Sequence, residues 1–266
     1  MSNIRTICTA AVIAVAASAV HAAQCGDTAQ GFERWKSAFA DEAAAAGVGQ
    51  RGLQALANSD YADSTIQADR NQRSFSYSFE RFMEIRGAET IVVQGRDRLA
   101  RDADLYRALE QRYGVPPGVL IAIHGMETGF GRFMGDSNVV SSILTLAYDC
   151  RRSDFFTPHA IGALRLVDSG AITSATQGAR HGELGHTQFL PGNVTLYGVD
   201  GDGDGRVDLT DRIDALASTA NFLRAHGWQP GAGYQPGQPN FAVIEDWNAA
   251  SVYQRAIAAI AARIDG

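Results

Sequence analysis

The spacing of apolar residues along the chain is helical almost throughout. Phe32, Trp35 and Phe39, then Ala43 and Ala46, then Leu53 and Leu56 recur at three- and four-residue steps. They predict two helices within residues 29–59, broken near residues 47–49 by Gly47 and Gly49. The polar residues 60–74 read as a loop. Phe75, Phe79 and Phe82 resume the helical step and read as a core stripe. Residues 85–114 predict one long helix with Leu99, Tyr106 and Leu109 on one face. Pro116 and Pro117 suit a helix start, where a missing N–H costs nothing, and the apolar run Val119, Leu120, Ile121, Ala122, Ile123 follows. That run ends at Glu127, and Gly129 and Gly131 stop it. Further helices are predicted over residues 139–148, 159–169, 214–226 and 249–264, with loops at 170–180 and 229–240. A short β-hairpin is expected near residues 240–245. No long alternating run predicts a larger sheet, so the fold class is mainly α.

Glu127 stands out chemically: a single carboxylate at the C-terminal end of an apolar helix. The helix dipole is negative there and apolar surroundings penalise ionisation. Both raise a carboxyl pKa, as a general acid near neutral pH requires. The alternative is a solvated residue of the last turn.

Residues 200–211 carry a second chemical pattern. Oxygen-bearing side chains fall at loop positions 1, 3, 5, 9 and 12 (Asp200, Asp202, Asp204, Asp208, Asp211), with Gly205 at position 6 and Val207 at 8. Arg206 would lend its carbonyl oxygen. This is EF-hand spacing, which predicts a calcium site. Asp211 stands where a bidentate Glu is usual, which weakens the expected affinity. An acidic solvated loop is the alternative.

The 266 residues suffice for one large domain or two small ones, and 45% are hydrophobic. A net charge of −6 argues against a nucleic-acid partner. Residues 1–23 read as a secretory signal: Arg5 is the basic residue, residues 9–20 are short and apolar, and Ala22 and Ala23 suit cleavage. That run is too short to span a membrane comfortably. Gln24 precedes Cys25 where lipid attachment needs a small residue. An exported, periplasmic protein without a membrane anchor is therefore expected. Cys8 would leave with the signal, so Cys25 and Cys150 remain. In an oxidising compartment they suggest one disulfide; two free thiols are the alternative.

Five segments resemble the lytic murein transglycosylase B family of glycoside hydrolases: GMETGFGRFMG, LTLAYDCRRSDFF, GELGHTQFLPGN, YGVDGDGDGRVDL and ASTANFLRAHGW. They occur in order from Gly125 to Trp228, within a resemblance that spans about Asp69 to Trp228. The resemblance implies a lysozyme-like catalytic domain over residues 24–266. It implies peptidoglycan strands as partner, a monomer, and one structural Ca2+ in the acidic loop. Glu127 would be the only acid/base, cleaving the β-1,4 bond after N-acetylmuramic acid to leave a 1,6-anhydro ring. Gln188 and Glu183 would belong to the opposite cleft wall. Arg151 or Arg152 would meet the substrate's peptide stem. Asn248 matches a cleft asparagine, Tyr253 an aromatic of the last helix, and Trp247 replaces a tyrosine. His124 and His186 are expected to line the cleft. The loop at 229–240 stands where many members insert a subdomain. A hydrolytic muramidase and a non-catalytic, calcium-stabilised peptidoglycan binder are the rival readings.

Overall fold

A computed structural model describes residues 23–71 and 77–266. The expected signal segment with Cys8, and Phe75, lie outside the described residues. Thirteen α-helices, preceded by one 3-10 turn (Ala29–Gly31), occur among those described. In chain order they begin with α1 (Phe32–Ala45), α2 (Gln50–Ala57), α3 (Asp63–Arg70), α4 (Phe79–Ile85), α5 (Ala88–Arg101) and α6 (Ala103–Tyr113). Then come α7 (Pro117–Thr128), α8 (Val139–Tyr148) and α9 (Ser153–Ser169). Last are α10 (Pro191–Tyr197), α11 (Arg212–Ala225), α12 (Phe241–Trp247) and α13 (Ser251–Asp265). The only sheet among the described residues is a two-residue antiparallel pair, β1 (Ser137–Asn138) with β2 (Gln177–Gly178), in register Ser137↔Gly178.

Helix α7 is the axis of the larger core. Every residue from Gly118 to Met126 is buried, and α13 and α5 pack along it. A helix apolar on all sides must be enclosed by others. Gly118 and Gly125 permit the close approach: a Cβ at Gly118 would meet the Ala261 carbonyl at 2.5 Å, and one at Gly125 would meet Ile91 at 2.5 Å. A second core joins α1, α2, α8 and α9 around Phe32, Trp35, Phe39 and Tyr148. Cys25 and Cys150 are joined as a disulfide across 125 residues. Gly26 beside it donates its N–H to the Tyr148 carbonyl (3.0 Å), tying the described N-terminus to the end of α8.

Three expectations are corrected. Residues 60–74 are not a plain loop, because α3 forms there. Two of its polar residues face inward: Thr65 Oγ1 donates to the Arg180 carbonyl (2.6 Å), and Asp69 is buried. The long helix expected over 85–114 is cut twice. Gly87 adopts φ 66° before α5, and Asp102, which accepts from Arg212 Nη1 (2.5 Å), separates α5 from α6. The hairpin near 240–245 is absent, since Phe241 opens α12. Asn240 before it accepts from Gln229 N (2.7 Å) and donates to the Gln229 and Ala232 carbonyls (2.9 Å each), folding the preceding loop back on itself.

Candidate active site

Glu127 lies in the last turn of α7. Gly129 ends the helix at φ 58°, its N–H returning to the Gly125 carbonyl (3.0 Å). Phe130 (φ 66°) and Gly131 (φ 85°) then swing the chain away. Glu127 is partly buried as a residue, with its carboxyl enclosed at the floor of a cleft of about 560 Å³ that Glu183, Gln188, Arg152, Asn193 and Asn248 also line. Trp247 donates its Nε1–H to Glu127 Oε1 (3.1 Å). The indole is fixed edge-to-face against Phe189 (5.3 Å) and Phe222 (5.4 Å). The buried Tyr253 hydroxyl also favours the ionised carboxyl by proximity, without an oriented hydrogen bond. Arg86, stacked over the Phe82 and Tyr253 rings, adds its charge.

Burial outweighs these helpers, and the Glu183 carboxylate adds repulsion, so Glu127 is pushed up to about 7. This raised value bears on stability. Below the unfolded value near 4.5 both states hold the proton and nothing is lost. Between there and about 7 the folded state keeps a proton that the unfolded state has released, so stability falls as pH rises. The loss levels off at about 3 kcal/mol. Glu127→Gln is therefore expected to be more stable than the parent at pH 8 and indistinguishable at pH 4, as denaturant midpoints will read.

Gln188 holds φ 56°, a conformation uncommon outside glycine. Its amide donates to the Gly185 carbonyl (2.8 Å), leaving the amide oxygen for a ligand. Glu183 Oε2 accepts from His181 N (3.2 Å), and His181 Nδ1 lies 3.5 Å from Oε1. Burial opposes charge on His181, but Glu183 overrides it and raises its pKa. Arg151 and Arg152 share one buried carboxylate, Asp69, at 2.8 and 2.9 Å. Arg152 reaches the cleft; Arg151 is not among its lining residues. Asn248 Oδ1 accepts from Ala250 N (3.0 Å), and Tyr253 lies behind the cleft wall.

His124 and His186 do not line this cleft. His124 is fully buried, with its Nε2 2.9 Å from His186 Nδ1 and its ring edge-on to Phe130. Burial depresses His124 to about 3, so it is a neutral packing residue. The pair bridges α7 to the wall segment, where Thr128 Oγ1 also donates to the His186 carbonyl (2.7 Å).

The acidic loop is folded on its own carboxylates. Asp200 accepts from Gly203 N (2.6 Å) and Gly205 N (2.8 Å), Asp202 from Asp204 N (3.0 Å), and Asp204 from Arg206 N (2.8 Å). Asp211 caps α11, its Oδ1 accepting from Ile213 N (2.6 Å). The residue sequence reasoning missed is Asp214. It is buried, accepts from Gly201 N (2.7 Å) and Asp208 N (2.8 Å), and has a carboxylate oxygen within 4.8 Å of those of Asp200 and Asp202. It lies beyond the twelve-residue pattern, inside a helix, so no spacing rule pointed to it. Hard oxygen donors crowded this way suit a hard cation such as Ca2+.

A helical domain whose enclosed central helix ends in a carboxyl at the floor of a cleft defines a lysozyme-like fold. The family model described as the transglycosylase SLT domain matches residues 31–238, and the chain belongs to that family. Membrane-bound lytic murein transglycosylase B of Escherichia coli (strain K12) is 36% identical over 139 residues, which are 49% of this chain and 38% of that protein. SltB3 from Pseudomonas aeruginosa in complex with NAG-NAM-pentapeptide superposes with a TM-score of 0.80 at 29% identity, covering 88% of this chain and 80% of that one. The Escherichia coli lytic transglycosylase Slt35 in complex with calcium shares the fold, with a TM-score of 0.73 at 23% identity over 91% of this chain and 96% of that one.

Proposed function

We propose that this chain is a peptidoglycan lytic transglycosylase with Glu127 as its single acid/base. The observation that carries this reading is the Glu127 carboxyl at the end of the enclosed helix α7, in the cleft and oriented by the Trp247 N–H (3.1 Å), where burial raises its pKa. Protonated Glu127 gives its proton to the glycosidic oxygen as the bond from C1 of N-acetylmuramic acid breaks. The C6 hydroxyl of that same sugar then bonds to C1, and the Glu127 carboxylate takes the hydroxyl proton. The 1,6-anhydro ring closes and the enzyme is regenerated without water. The nucleophile is already tethered to the electrophile, so the protein positions no second reactant.

Gln188, Glu183, Arg152 and Asn248 contact the substrate in this reading, whereas Arg151 and Tyr253 act from behind by holding Asp69 and the Glu127 environment. Asp200, Asp202 and Asp204, the Arg206 carbonyl and Asp211, joined by Asp214, would hold a structural Ca2+. The ion would neutralise the crowded carboxylates. Slt35, which has the same fold, is described in complex with calcium. The Cys25–Cys150 disulfide agrees with export to the periplasm, as does the signal-like pattern of residues 1–23. Among the described residues no helix is long and apolar enough to cross a membrane. The enzyme acts as a monomer in this reading.

The further carboxylates that line the same cleft, Glu183, Glu245 and Asp246, are what favours a hydrolase, and Glu183 is the one whose charge is felt at Glu127. Digestion of purified peptidoglycan separates the two: anhydro-muropeptides support the lytic reading and reducing-end muropeptides the hydrolytic one.

The neighbours of Glu127 make a paired prediction. The Trp247 N–H favours the carboxylate, and the Glu183 charge disfavours it. Because the acid form starts the reaction, kcat/KM falls as pH rises through about 7. Trp247→Phe should move that limb to higher pH and Glu183→Gln to lower pH. Shifts in the same direction would contradict this assignment.

A further inference from the structure

Four arginines gather beside the end of α7, outside the cleft, and share one carboxylate. Arg98 and Arg101 lie in the last turn of α5, Arg132 follows the turn after Glu127, and Arg212 opens α11. Arg212 Nη1 and Arg101 Nη2 both donate to Asp102 Oδ2 (2.5 and 3.3 Å). Arg98 and Arg132 meet neutral acceptors. Arg98 Nη1 donates to the Gln94 carbonyl (3.2 Å) and Arg132 Nε to the Gly129 carbonyl (3.0 Å), while Arg132 Nη2 lies 3.5 Å from the Gln94 amide oxygen. Of the neighbouring acids, Asp104 pairs with Arg107 (2.8 Å) and Asp211 caps α11.

The cluster is held in place. The Arg98 guanidinium lies 3.9 Å from the Phe130 ring centroid, and the residue is partly buried. Burial, then the charges of Arg101, Arg132 and Arg212, hold its pKa below the ordinary guanidinium value. Four guanidiniums against one carboxylate leave positive charge uncompensated, in a chain whose net charge is −6. A second, independent feature lies beneath. Tyr106 is fully buried and its hydroxyl has no hydrogen-bond partner. It stands within electrostatic reach of Arg212, Asp102, Arg98 and Arg101.

Like charges held together and a buried hydroxyl left without a partner are both costly. One kind of ligand relieves both: an anion with several acceptor oxygens. Guanidinium forks match the edges of a tetrahedral oxyanion, and a phosphomonoester carries close to two negative charges above its second pKa of about 6. We propose that Arg98, Arg101, Arg132 and Arg212, with the Tyr106 hydroxyl beneath them, form a binding site for a phosphate group. None of these residues lines the cleft, so the site stands apart from the glycan reading.

The probe is glycerol 1-phosphate, titrated calorimetrically into the protein in calcium-containing buffer at pH 8 and constant ionic strength. Saturable binding at one site is expected. Arg98→Met combined with Arg132→Met, which keeps much of both stems, should weaken it at least about thirty-fold, and Tyr106→Phe about ten-fold. Arg98→Lys keeps the charge without the fork and should fall between the parent and the double variant. Unchanged muropeptide release and thermal midpoints without the ester separate loss of the site from loss of the fold. A second arm sediments the protein with vesicles of phosphatidylglycerol or of phosphatidylcholine. Co-sedimentation with phosphatidylglycerol that the double variant loses assigns the phosphate to a lipid headgroup. Ester binding without co-sedimentation assigns it to a soluble phosphomonoester. Ester binding that is absent, or equally strong in the double variant, overturns the site, and so does vesicle binding without ester binding.

Discussion

Glu127→Gln is expected to lower muropeptide release about a hundred- to ten-thousand-fold while the fold persists. The amide keeps the size of the side chain and can still accept from Trp247 Nε1, so the aromatic box of Trp247, Phe189 and Phe222 stays assembled. It cannot give a proton to the glycosidic oxygen, nor take one from the C6 hydroxyl. Both half-reactions should fail together, because in the proposed mechanism one residue serves them in turn. No other carboxyl of the cleft is in Glu127's position. Glu183, the nearest candidate in charge terms, is engaged by His181. Chromatography of digests, with the thermal midpoint as the folding control, reads the result. Retention of more than about a tenth of parental release would remove Glu127 from the central role.

The second large effect is expected at Asp214. Its two oxygens hold the Gly201 and Asp208 N–H groups, both ends of the acidic loop, while the residue is 2% exposed. Asp214→Ala leaves two partly buried donors without partners and should cost about 3 kcal/mol. For a chain of this size that lowers the thermal midpoint by roughly 6–12 °C. The parent's midpoint should rise on adding calcium, and that of Asp214→Ala should not. The loop also supports the cleft wall. His186 N donates to the Leu209 carbonyl (2.9 Å), and Gly185 lies so close that a Cβ would meet that carbonyl at 2.0 Å. A loosened loop should therefore raise KM through Gln188, three residues along the wall. A midpoint within about one degree of the parent's, with calcium still stabilising, would contradict this role.

The central helix was legible because its signals are local: prolines to start it, an apolar run within, glycines to stop it. The same holds for Glu127 at its end. What was illegible depended on partners distant in sequence. Residues 63–70 look like loop because Thr65 and Asp69 are polar; they form a helix because Arg180, Arg151 and Arg152 meet them. The Arg151–Arg152 pair reads as solvated beside Asp154, yet its partner is Asp69, 83 residues from Arg152. His124 and His186 looked like titrating wall residues; their rings meet beneath the wall, 62 positions apart. Asp214 fell outside a motif defined by twelve positions. Trp247 was visible only as a substitution, and its bond to Glu127 spans 120 residues.

The most direct test of the central claim is digestion of purified peptidoglycan by the mature protein in water labelled with heavy oxygen, followed by mass spectrometry of the muropeptides. Intramolecular closure by the C6 hydroxyl predicts anhydro products, one water lighter than hydrolytic ones, that carry no label. Labelled reducing ends would contradict that account and make the protein a hydrolase, with Glu183 the first residue to examine as its second carboxylate.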